Sequence, residues 1–321
     1  MKCSNLLRTT LRCGLSLCLL FTSLSLSAQD NLPQADPAFH GKIAETYHDA
    51  QADPAMFASP TAPEGSPNIL LVLIDDAGFG ATSTFGGPCN TPTLDRLAAN
   101  GLRYNRFHTT ALCSPTRAAL LTGHNHHSAS TGVIMEMGTG FPGYTGIMPR
   151  STATIAQIQK HNGYSTAWIG KNHNVPDNSL NNVGPFDRWP NHMGFDYFYG
   201  FNGGEADHWY PTLYENLNPV QPWGTPEDGY NLGTDQTDKA IAWMRCQKSI
   251  APDRPFFLYY APGAVHAPHH PPKEWAEKYR GKFAHGWDKQ REITFKRQKE
   301  LGVIPQDAKL TPRMEQVPSW D

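Results

Sequence analysis

The stretch Cys-Ser-Pro-Thr-Arg, from Cys113 to Arg117, combines the residue types in this chain that are best suited to chemistry. Ser114 is a good N-cap and Pro115 suits the first helical position, so a helix is predicted to begin just after the cysteine and to end at Gly123. The helix N-terminus presents free N–H groups, and the arginine lies one turn along on the same face. The pattern predicts an anion site with an activated nucleophile, although a small buried cysteine fits the spacing equally well.

Two adjacent carboxylates, Asp75 and Asp76, follow an apolar run over residues 69–74. Such a run predicts a central strand that is buried on both faces of a parallel sheet, and ligands bind at the carboxyl ends of such strands. Adjacent carboxylates repel each other, so a hard cation with oxygen ligands is predicted between them. For an isolated pair, the alternative is that one carboxylate caps the next turn while the other is solvated.

Two more predicted strands also end in polar side chains. Residues 165–170 lead into Lys171 and His173, and residues 255–260 lead into a segment that contains His266. A lysine and a histidine two residues apart can face one pocket, although a solvated pair is the commoner arrangement. Polar chemistry is therefore predicted at the ends of several strands of one sheet.

Helices alternate with these strands along the chain. Residues 91–101 have a cap, a proline start, helical spacing and a glycine stop, and residues 102–110 are predicted to form a further strand. Helices are also predicted over residues 154–161 and 238–248, and the chain from Lys273 onward is charged and helical. This order of elements predicts an α/β fold.

The composition is that of an ordinary globular protein. The 321 residues suffice for one large domain or two smaller ones, and a net charge of −2 gives no basic footprint for a nucleic acid. The 28 glycines and 27 prolines imply many loops on a compact scaffold. The aromatic, loop-rich stretch 174–235 is predicted either to cover the sheet or to form a pocket wall.

The N-terminus has the pattern of a targeting segment. Residues 1–28 combine a positive start, an apolar run and small residues before a predicted cleavage after Ala28, which predicts a periplasmic or secreted protein. The apolar run is short for a membrane span, so no stable membrane anchor is expected, with an uncleaved anchor as the alternative. Residues 29–65 are predicted to be a linker, and residues 66–321 to be the N-terminal part of a catalytic domain.

Four motifs in a fixed order resemble type I sulfatases over residues 67–270. They are Asp-Asp-x-Gly at Asp75, Cys-Ser-Pro-Thr-Arg at Cys113, Gly-Lys-x-His at Gly170 and His-x-Pro-His at His266. The details are most similar to large bacterial arylsulfatases. The resemblance implies an alkaline-phosphatase-like α/β fold, with a mixed, mostly parallel sheet flanked by helices and incomplete in this chain. It also implies hydrolysis of sulfate esters to an alcohol or phenol and inorganic sulfate.

The resemblance implies a metal and a modified residue. Asp75 and Asp76 match the family's calcium ligands. Cys113 matches the cysteine that a formylglycine-generating maturation enzyme converts to formylglycine, and as formylglycine it joins the aspartates at the metal. Of the six cysteines, three belong to the targeting segment, and the two that remain besides Cys113, which are Cys89 and Cys246, could pair with each other or stay free.

The resemblance also implies roles for the other polar residues. Arg117 matches the arginine that steadies the formylglycine hydrate, and Lys171 and His173 match the pair that contacts the sulfate and the hydrate. His266 matches the histidine that binds sulfate and assists the leaving group. The implied reaction is covalent, because a hydrate hydroxyl attacks sulfur and the second hydroxyl later expels sulfate.

The chain departs from the family in one respect. A further Asp-Asn metal pair and a second lysine, which the family supplies from a late strand, have no counterpart before Asp321. We therefore expect a truncated sulfatase whose 321-residue chain is inactive or unstable alone. Two alternatives stay open: a phosphodiesterase or phosphonate-ester hydrolase of the same superfamily, and a non-catalytic anion-binding remnant.

Overall fold

A computed structural model of the chain describes residues 38–320. The predicted signal peptide and the first part of the predicted linker lie outside these residues. The chain divides into two compact units, Met1–Phe57 and Ala58–Asp321. In the described part of the first unit, Lys42 and Gln51 form an isolated antiparallel bridge, and a short 3-10 helix covers Pro54–Phe57.

The described part of the second unit is built around one mixed sheet of six strands. The strands are β1 (Ile69–Val72), β2 (Ser165–Lys171), β3 (Tyr197–Phe201), β4 (Leu213–Glu215), β5 (Asn218–Val220) and β6 (Phe256–Ala261). Their order in the sheet is β1-β6-β2-β3-β4-β5. The first four strands in this order pair in parallel, and β4 and β5 continue the sheet antiparallel. The expected mixed, mostly parallel α/β sheet is confirmed.

The helices of the same unit do not alternate regularly with the strands as predicted, because three of them fall between β1 and β2 and no α-helix falls between β2 and β5. They are α1 (Pro92–Asn100), α2 (Cys113–Thr122), α3 (Ile155–His161), α4 (Leu232–Ile250), α5 (Lys273–Glu277) and α6 (Gly286–Glu300). Short 3-10 helices cover Ser83–Phe85, Met135–Met137, Asp177–Ser179, Pro190–Met193 and Pro226–Asp228. No helix within residues 38–320 is both long enough and apolar enough to cross a bilayer.

The alternation of side chains along β2 divides the core between the two faces of the sheet. Trp168 packs on one face with Leu121 of α2. Ile169 packs on the other face with Leu232 and Ala240 of α4. The sheet is therefore flanked by helices on both sides, which leaves the carboxyl ends of its parallel strands as the open edge for a site.

Three sequence-based expectations are wrong in detail. The strand predicted over residues 69–74 was expected to be central and buried on both faces. Instead, β1 is the edge strand of the described sheet, and Leu70 is 53% exposed. Residues 102–110 form no strand, since they run over the surface without a partner strand. The helix predicted over residues 238–248 begins earlier, at Leu232, because the Asn231 side chain caps it by accepting from the Gly233 N–H.

Candidate active site

The predicted functional residues gather beyond the carboxyl ends of three neighbouring parallel strands. Asp75 and Asp76 follow β1, Lys171 and His173 lie at the end of β2, and the segment after β6 carries His266. The backbone joins the ends of the adjacent strands β1 and β6, since the Asp75 N–H donates to the Ala264 carbonyl and the Val265 N–H donates to the Asp75 carbonyl. This is where an open α/β sheet binds its ligands.

Asp75 is the centre of a buried ion cluster. Its Oδ2 lies 2.6 Å from Lys171 Nζ, and its Oδ1 lies 3.2 Å from Arg117 Nη2. All three side chains are 5% exposed or less, so the solvated alternative for the lysine is wrong. Burial opposes ionisation of Asp75, but the positive charges of Arg117 and Lys171 outweigh it and lower the pKa of the carboxyl.

The same cluster holds more positive than negative charge, since one carboxylate faces two cations. Arg117 Nη1 donates to the Lys171 carbonyl at 3.2 Å and lies 3.4 Å from the Tyr259 hydroxyl. Among the described residues, its buried Nε has no hydrogen-bond partner, while its Nη2 forms the ion pair with Asp75. Buried cationic donors with spare capacity favour an anion at this edge of the sheet.

Cys113 is the first residue of α2, which begins two residues earlier than predicted. The N-cap is Leu112, whereas Ser114 is fully buried and its Oγ has no hydrogen-bond partner among the described residues. Ser114 is buried inside the first turn and cannot cap it, so the predicted capping role is wrong. The helix does end at Gly123, whose N–H donates to the Ala119 carbonyl at 2.9 Å in the left-handed conformation.

The Cys113 side chain faces His173 across 60 residues of sequence, with 3.0 Å between Sγ and Nδ1. His173 adopts a left-handed backbone conformation with φ of 57°, which is uncommon for residues other than glycine. Its N–H donates to the Asn202 carbonyl at 3.2 Å, while Asn172 donates from its side chain to Asn202 Oδ1 at 2.8 Å. The asparagines therefore fasten the end of β2 to the end of β3 and hold the histidine in a strained turn.

Burial of the His173 ring, which outweighs the nearby Glu136 carboxylate, lowers the pKa of the imidazole.

The sequence pattern identified the histidine but gave no indication of the Glu136 carboxylate. Glu136 lies in the 3-10 helix Met135–Met137, and its two carboxylate oxygens are 3.0 Å and 2.9 Å from His173 Nε2. A single glutamate in a loop rich in glycine and methionine belongs to no motif whose residue spacing would indicate a functional role. Asn172 and Asn202 were overlooked for the same reason.

His266 is placed beside the other carboxylate of the pair. Its Nε2 lies 3.8 Å from Asp76 Oδ2, and its Nδ1 donates to the Ala267 carbonyl at 2.6 Å. The Asp76 side chain is 62% exposed, in contrast to buried Asp75. The structure therefore divides the Asp-Asp pair into one carboxylate that is already paired and one that faces solvent.

The described residues alone do not fit a calcium site. The oxygens of Asp75 are taken by Lys171 and Arg117, which leaves Asp76 as the open carboxylate of the pair. Within residues 38–320, no three His, Cys, Asp or Glu side chains are grouped so that they could hold a metal ion. Calcium needs six to eight oxygen ligands, so the site would depend on groups beyond these.

A groove of about 520 Å³ begins at His266 and runs to the N-terminus of α4. Trp275 and several prolines form its apolar wall, while His208, Thr237 and His270 supply polar groups.

Outside the groove, Trp189 and Phe198 from the aromatic stretch 174–235 are fully buried, which agrees with the first of the two roles predicted for this stretch, that of covering the sheet. Cys89 and Cys246 are exposed and unpaired in the structure.

The chain is similar to known sulfatases over most of its length. The family profile described as Sulfatase matches residues 67–317. Over 275 residues the chain is 28% identical to an arylsulfatase of Klebsiella aerogenes, covering 81% of this chain and 56% of the relative. It is 33% identical to arylsulfatase A of Homo sapiens over 243 residues, covering 68% and 45% respectively. The chain thus spans about half the length of the curated relatives it matches.

Solved structures have the same fold. Ps i-CgsB in complex with k-i-k-neocarrahexaose is 23% identical, has a TM-score of 0.51 and aligns with 74% of this chain and 53% of its own. BT4656 in complex with its substrate D-glucosamine-2-N,6-O-disulfate is 26% identical with a TM-score of 0.51, covering 68% and 38%. The first likeness concerns the fold alone, and the second extends it to a protein that acts on a sulfated sugar.

Proposed function

This chain belongs to the sulfatase family, and from that premise we propose that the protein hydrolyses sulfate esters of small molecules, in the manner of an arylsulfatase, to an alcohol or phenol and inorganic sulfate. The observation that carries the proposal is the buried cluster of Arg117, Lys171 and Asp75, whose excess positive charge lies at the strand ends next to Cys113 and His173. Such preorganised cationic donors stabilise charge that develops on sulfate oxygens.

We propose that Cys113 is converted to formylglycine by a maturation enzyme. Its place at the start of α2, in contact with His173 Nδ1, suits a nucleophile and its base. When hydrated, formylglycine would supply a hydroxyl nucleophile. An ordinary side chain would be trapped as a stable sulfate ester, so its nucleophile would not be regenerated. In this arrangement His173 Nδ1 accepts and returns a proton at the side chain of residue 113.

We propose that His266 serves the opposite side of the reaction. Its Nδ1 donates to the Ala267 carbonyl and its Nε2 is directed toward Asp76, so in the imidazolium form the ring donates from Nε2 to the departing oxygen. The groove that starts at His266 would receive the organic part of the ester. Its apolar wall and polar rim suit either a phenol or a sugar, and the sulfated sugar bound by BT4656 supports the second.

Calcium stays a prediction from the resemblance, with Asp75, Asp76 and the modified Cys113 as its ligands. Asp76 is the carboxylate of the pair that is available to a cation. Titration calorimetry of the chain with calcium tests the prediction, and an Asp76→Asn variant should bind the ion more weakly. Equal binding by the variant would show that the carboxylate is not a ligand.

Export to the periplasm or the medium is likewise our proposal. It rests on the signal-peptide pattern of residues 1–28. Fractionation of the native host, with N-terminal sequencing of the recovered protein, tests it. A protein that starts at Gln29 outside the cytoplasm supports the proposal, and an intact N-terminus in the cytoplasm contradicts it.

The decisive experiment compares substrates on protein from the native host. Turnover of an aryl sulfate, a sulfated monosaccharide and a matching aryl phosphate diester is measured, with Cys113→Ala as the inactive control. Mass spectrometry of the tryptic peptide Phe107–Arg117 reports whether Cys113 is an aldehyde. Preference for the sulfates supports the proposal, preference for the diester supports the phosphodiesterase alternative, and an unmodified thiol without turnover supports the remnant.

A further inference from the structure

We propose that Glu136 is a positioning residue that holds the His173 ring in one orientation and one tautomer, with the hydrogen on Nε2 and the lone pair of Nδ1 directed at residue 113. The assignment deepens the proposed function and rests on it for its catalytic consequence. The tautomer itself is a property of the folded chain and can be measured without any turnover.

The contact geometry carries the assignment. Both nitrogens of the ring are engaged, Nδ1 with Cys113 Sγ at 3.0 Å and Nε2 with the two oxygens of Glu136 at 3.0 Å and 2.9 Å. A flip of the ring would break both contacts at once. The ring is buried, with 3% of His173 exposed, so water offers little replacement for either contact.

The chemistry of a carboxylate determines which nitrogen carries the hydrogen. Burial raises the pKa of Glu136, but the hydrogen bond from His173 and further favourable contacts outweigh it, so the net effect lowers the pKa. An ionised carboxylate only accepts hydrogen bonds, so Nε2 must donate. In a neutral imidazole the other nitrogen is then an acceptor, which is the form that a base at residue 113 requires.

A glycine leaves the space in which the His173 ring and Glu136 meet. Gly204 lies against the same side of the ring, and a Cβ at this position would come within 2.8 Å of His173 Cε1 and 3.1 Å of Glu136 Oε1. The left-handed backbone of His173 places its side chain outside the usual strand directions. The ring therefore depends on Glu136, and on the space that a glycine leaves, for its orientation.

The first test is nuclear magnetic resonance of the full chain labelled with ¹⁵N-histidine. The His173 signals are assigned by their loss in His173→Gln, and ring couplings report which nitrogen carries the hydrogen. We expect a single tautomer with Nε2–H in the wild type and a mixture in Glu136→Gln, since an amide can both donate and accept. Glu136→Asp should retain the wild-type tautomer, because it retains the carboxylate.

Glu205→Gln is the matched control, because Glu205 is an exposed acid in the neighbouring loop, whereas the hydrogen bonds of the His173 ring go to Glu136 and Cys113. It should leave the His173 spectrum unchanged. A wild-type ring with the hydrogen on Nδ1, or a Glu136→Gln spectrum identical to the wild type, would overturn the proposal. Circular dichroism and thermal melting of each variant establish that it is folded before its spectrum is read.

The second test is kinetic and uses enzyme matured in the native host. Loss of the correct tautomer removes general-base catalysis, so Glu136→Gln should lower kcat by about 10²- to 10⁴-fold with little change in KM. Glu136→Asp should recover part of the loss. The control Glu205→Gln should leave kcat unchanged. A changed KM with unchanged kcat would contradict a positioning role. Absence of turnover in the wild type would refute the proposed function, while the spectra would still decide the tautomer.

Discussion

At the scale of single residues, the buried cluster around Asp75 links stability to the site. The carboxylate neutralises part of the charge of Lys171 and Arg117, which are both buried. A buried ion pair adds little net stability, whereas removal of one partner leaves the others uncompensated. The positive charge suited to a sulfate is therefore held in place by a carboxylate that is itself buried.

Asp75→Asn is predicted to lower the free energy of unfolding by about 3–5 kcal/mol, because two buried cations then face no negative charge. Urea unfolding followed by circular dichroism measures the change. Asp76→Asn is the matched control, since its side chain is 62% exposed, and it should stay within about 0.5 kcal/mol of the wild type. Similar losses in both variants would contradict the assignment of the cluster.

His208 is predicted to make the protein less stable in mild acid. Burial, followed by the positive charge of His270, lowers the pKa of His208, with a smaller contribution from His269 and an opposing one from Asp207. The unfolded chain therefore takes up a proton near pH 6.5 before the folded chain does. Stability is fully present above that pH and falls as the pH drops toward the folded pKa.

The measurement is the free energy of unfolding between about pH 8 and pH 5, because that range contains the ordinary histidine pKa. His208→Asn should show a shallower loss in acid than the wild type. His124→Asn replaces an exposed histidine and should keep the wild-type slope. Parallel curves for wild type and His208→Asn would show that the buried ring does not contribute.

At the scale of elements, β2 positions both the core and the site. Trp168 packs against Tyr259 of β6, with 4.8 Å between ring centroids, and the strand then delivers Lys171 to Asp75. Gly170 lies between them with φ of 119°, and a Cβ there would collide with the Ala261 carbonyl oxygen. The close approach of β2 and β6 thus depends on the absence of a side chain at the residue before Lys171.

Gly170→Ala is predicted to cost at least about 2 kcal/mol of stability, because it combines an unfavourable backbone conformation with a collision between strands. The loss is measured by chemical denaturation. Gly78→Ala is the matched control, since its added Cβ would meet no atom within 4 Å. A tolerated Gly170→Ala would mean that the two strand ends can separate without consequence.

At the scale of the whole molecule, one face of β1 is open. Leu70, Val72 and Ile74 are 53%, 45% and 36% exposed along the edge strand of the described sheet. An unpaired strand edge with exposed apolar side chains is a site for pairing with another polypeptide. The chain also spans about half the length of its curated relatives. The exposed apolar side chains of β1 are one reason to expect that the 321-residue chain is unstable alone, which stays a prediction.

The 321-residue chain is predicted to bind the dye ANS and to self-associate as its concentration rises. Sedimentation velocity over a concentration series measures the association. The double variant Leu70→Lys/Val72→Lys should reduce both effects, because charges on an edge strand oppose pairing. Leu97→Lys, at an exposed position on α1, should reduce neither. Unchanged association of the double variant would place the contact elsewhere.

Local patterns in the sequence were sufficient to predict many of the secondary-structure elements and the family. Apolar runs located the parallel strands β1, β2 and β6, and a glycine stop located the end of α2 at Gly123, whereas β3 in the aromatic stretch 174–235 was not predicted. The order of four motifs was sufficient to identify the family. These signals succeed because hydrophobic periodicity and capping act between residues a few positions apart.

Only the tertiary structure decided how the site residues are paired. Asp75 and Lys171 are 96 residues apart, Cys113 and His173 are 60 apart, and Glu136 lies 37 residues before His173. Such contacts depend on which strands become neighbours in the sheet, and no local pattern encodes that choice. The edge position of β1 was decided in the same way, because burial of a strand depends on the partners that the whole chain supplies.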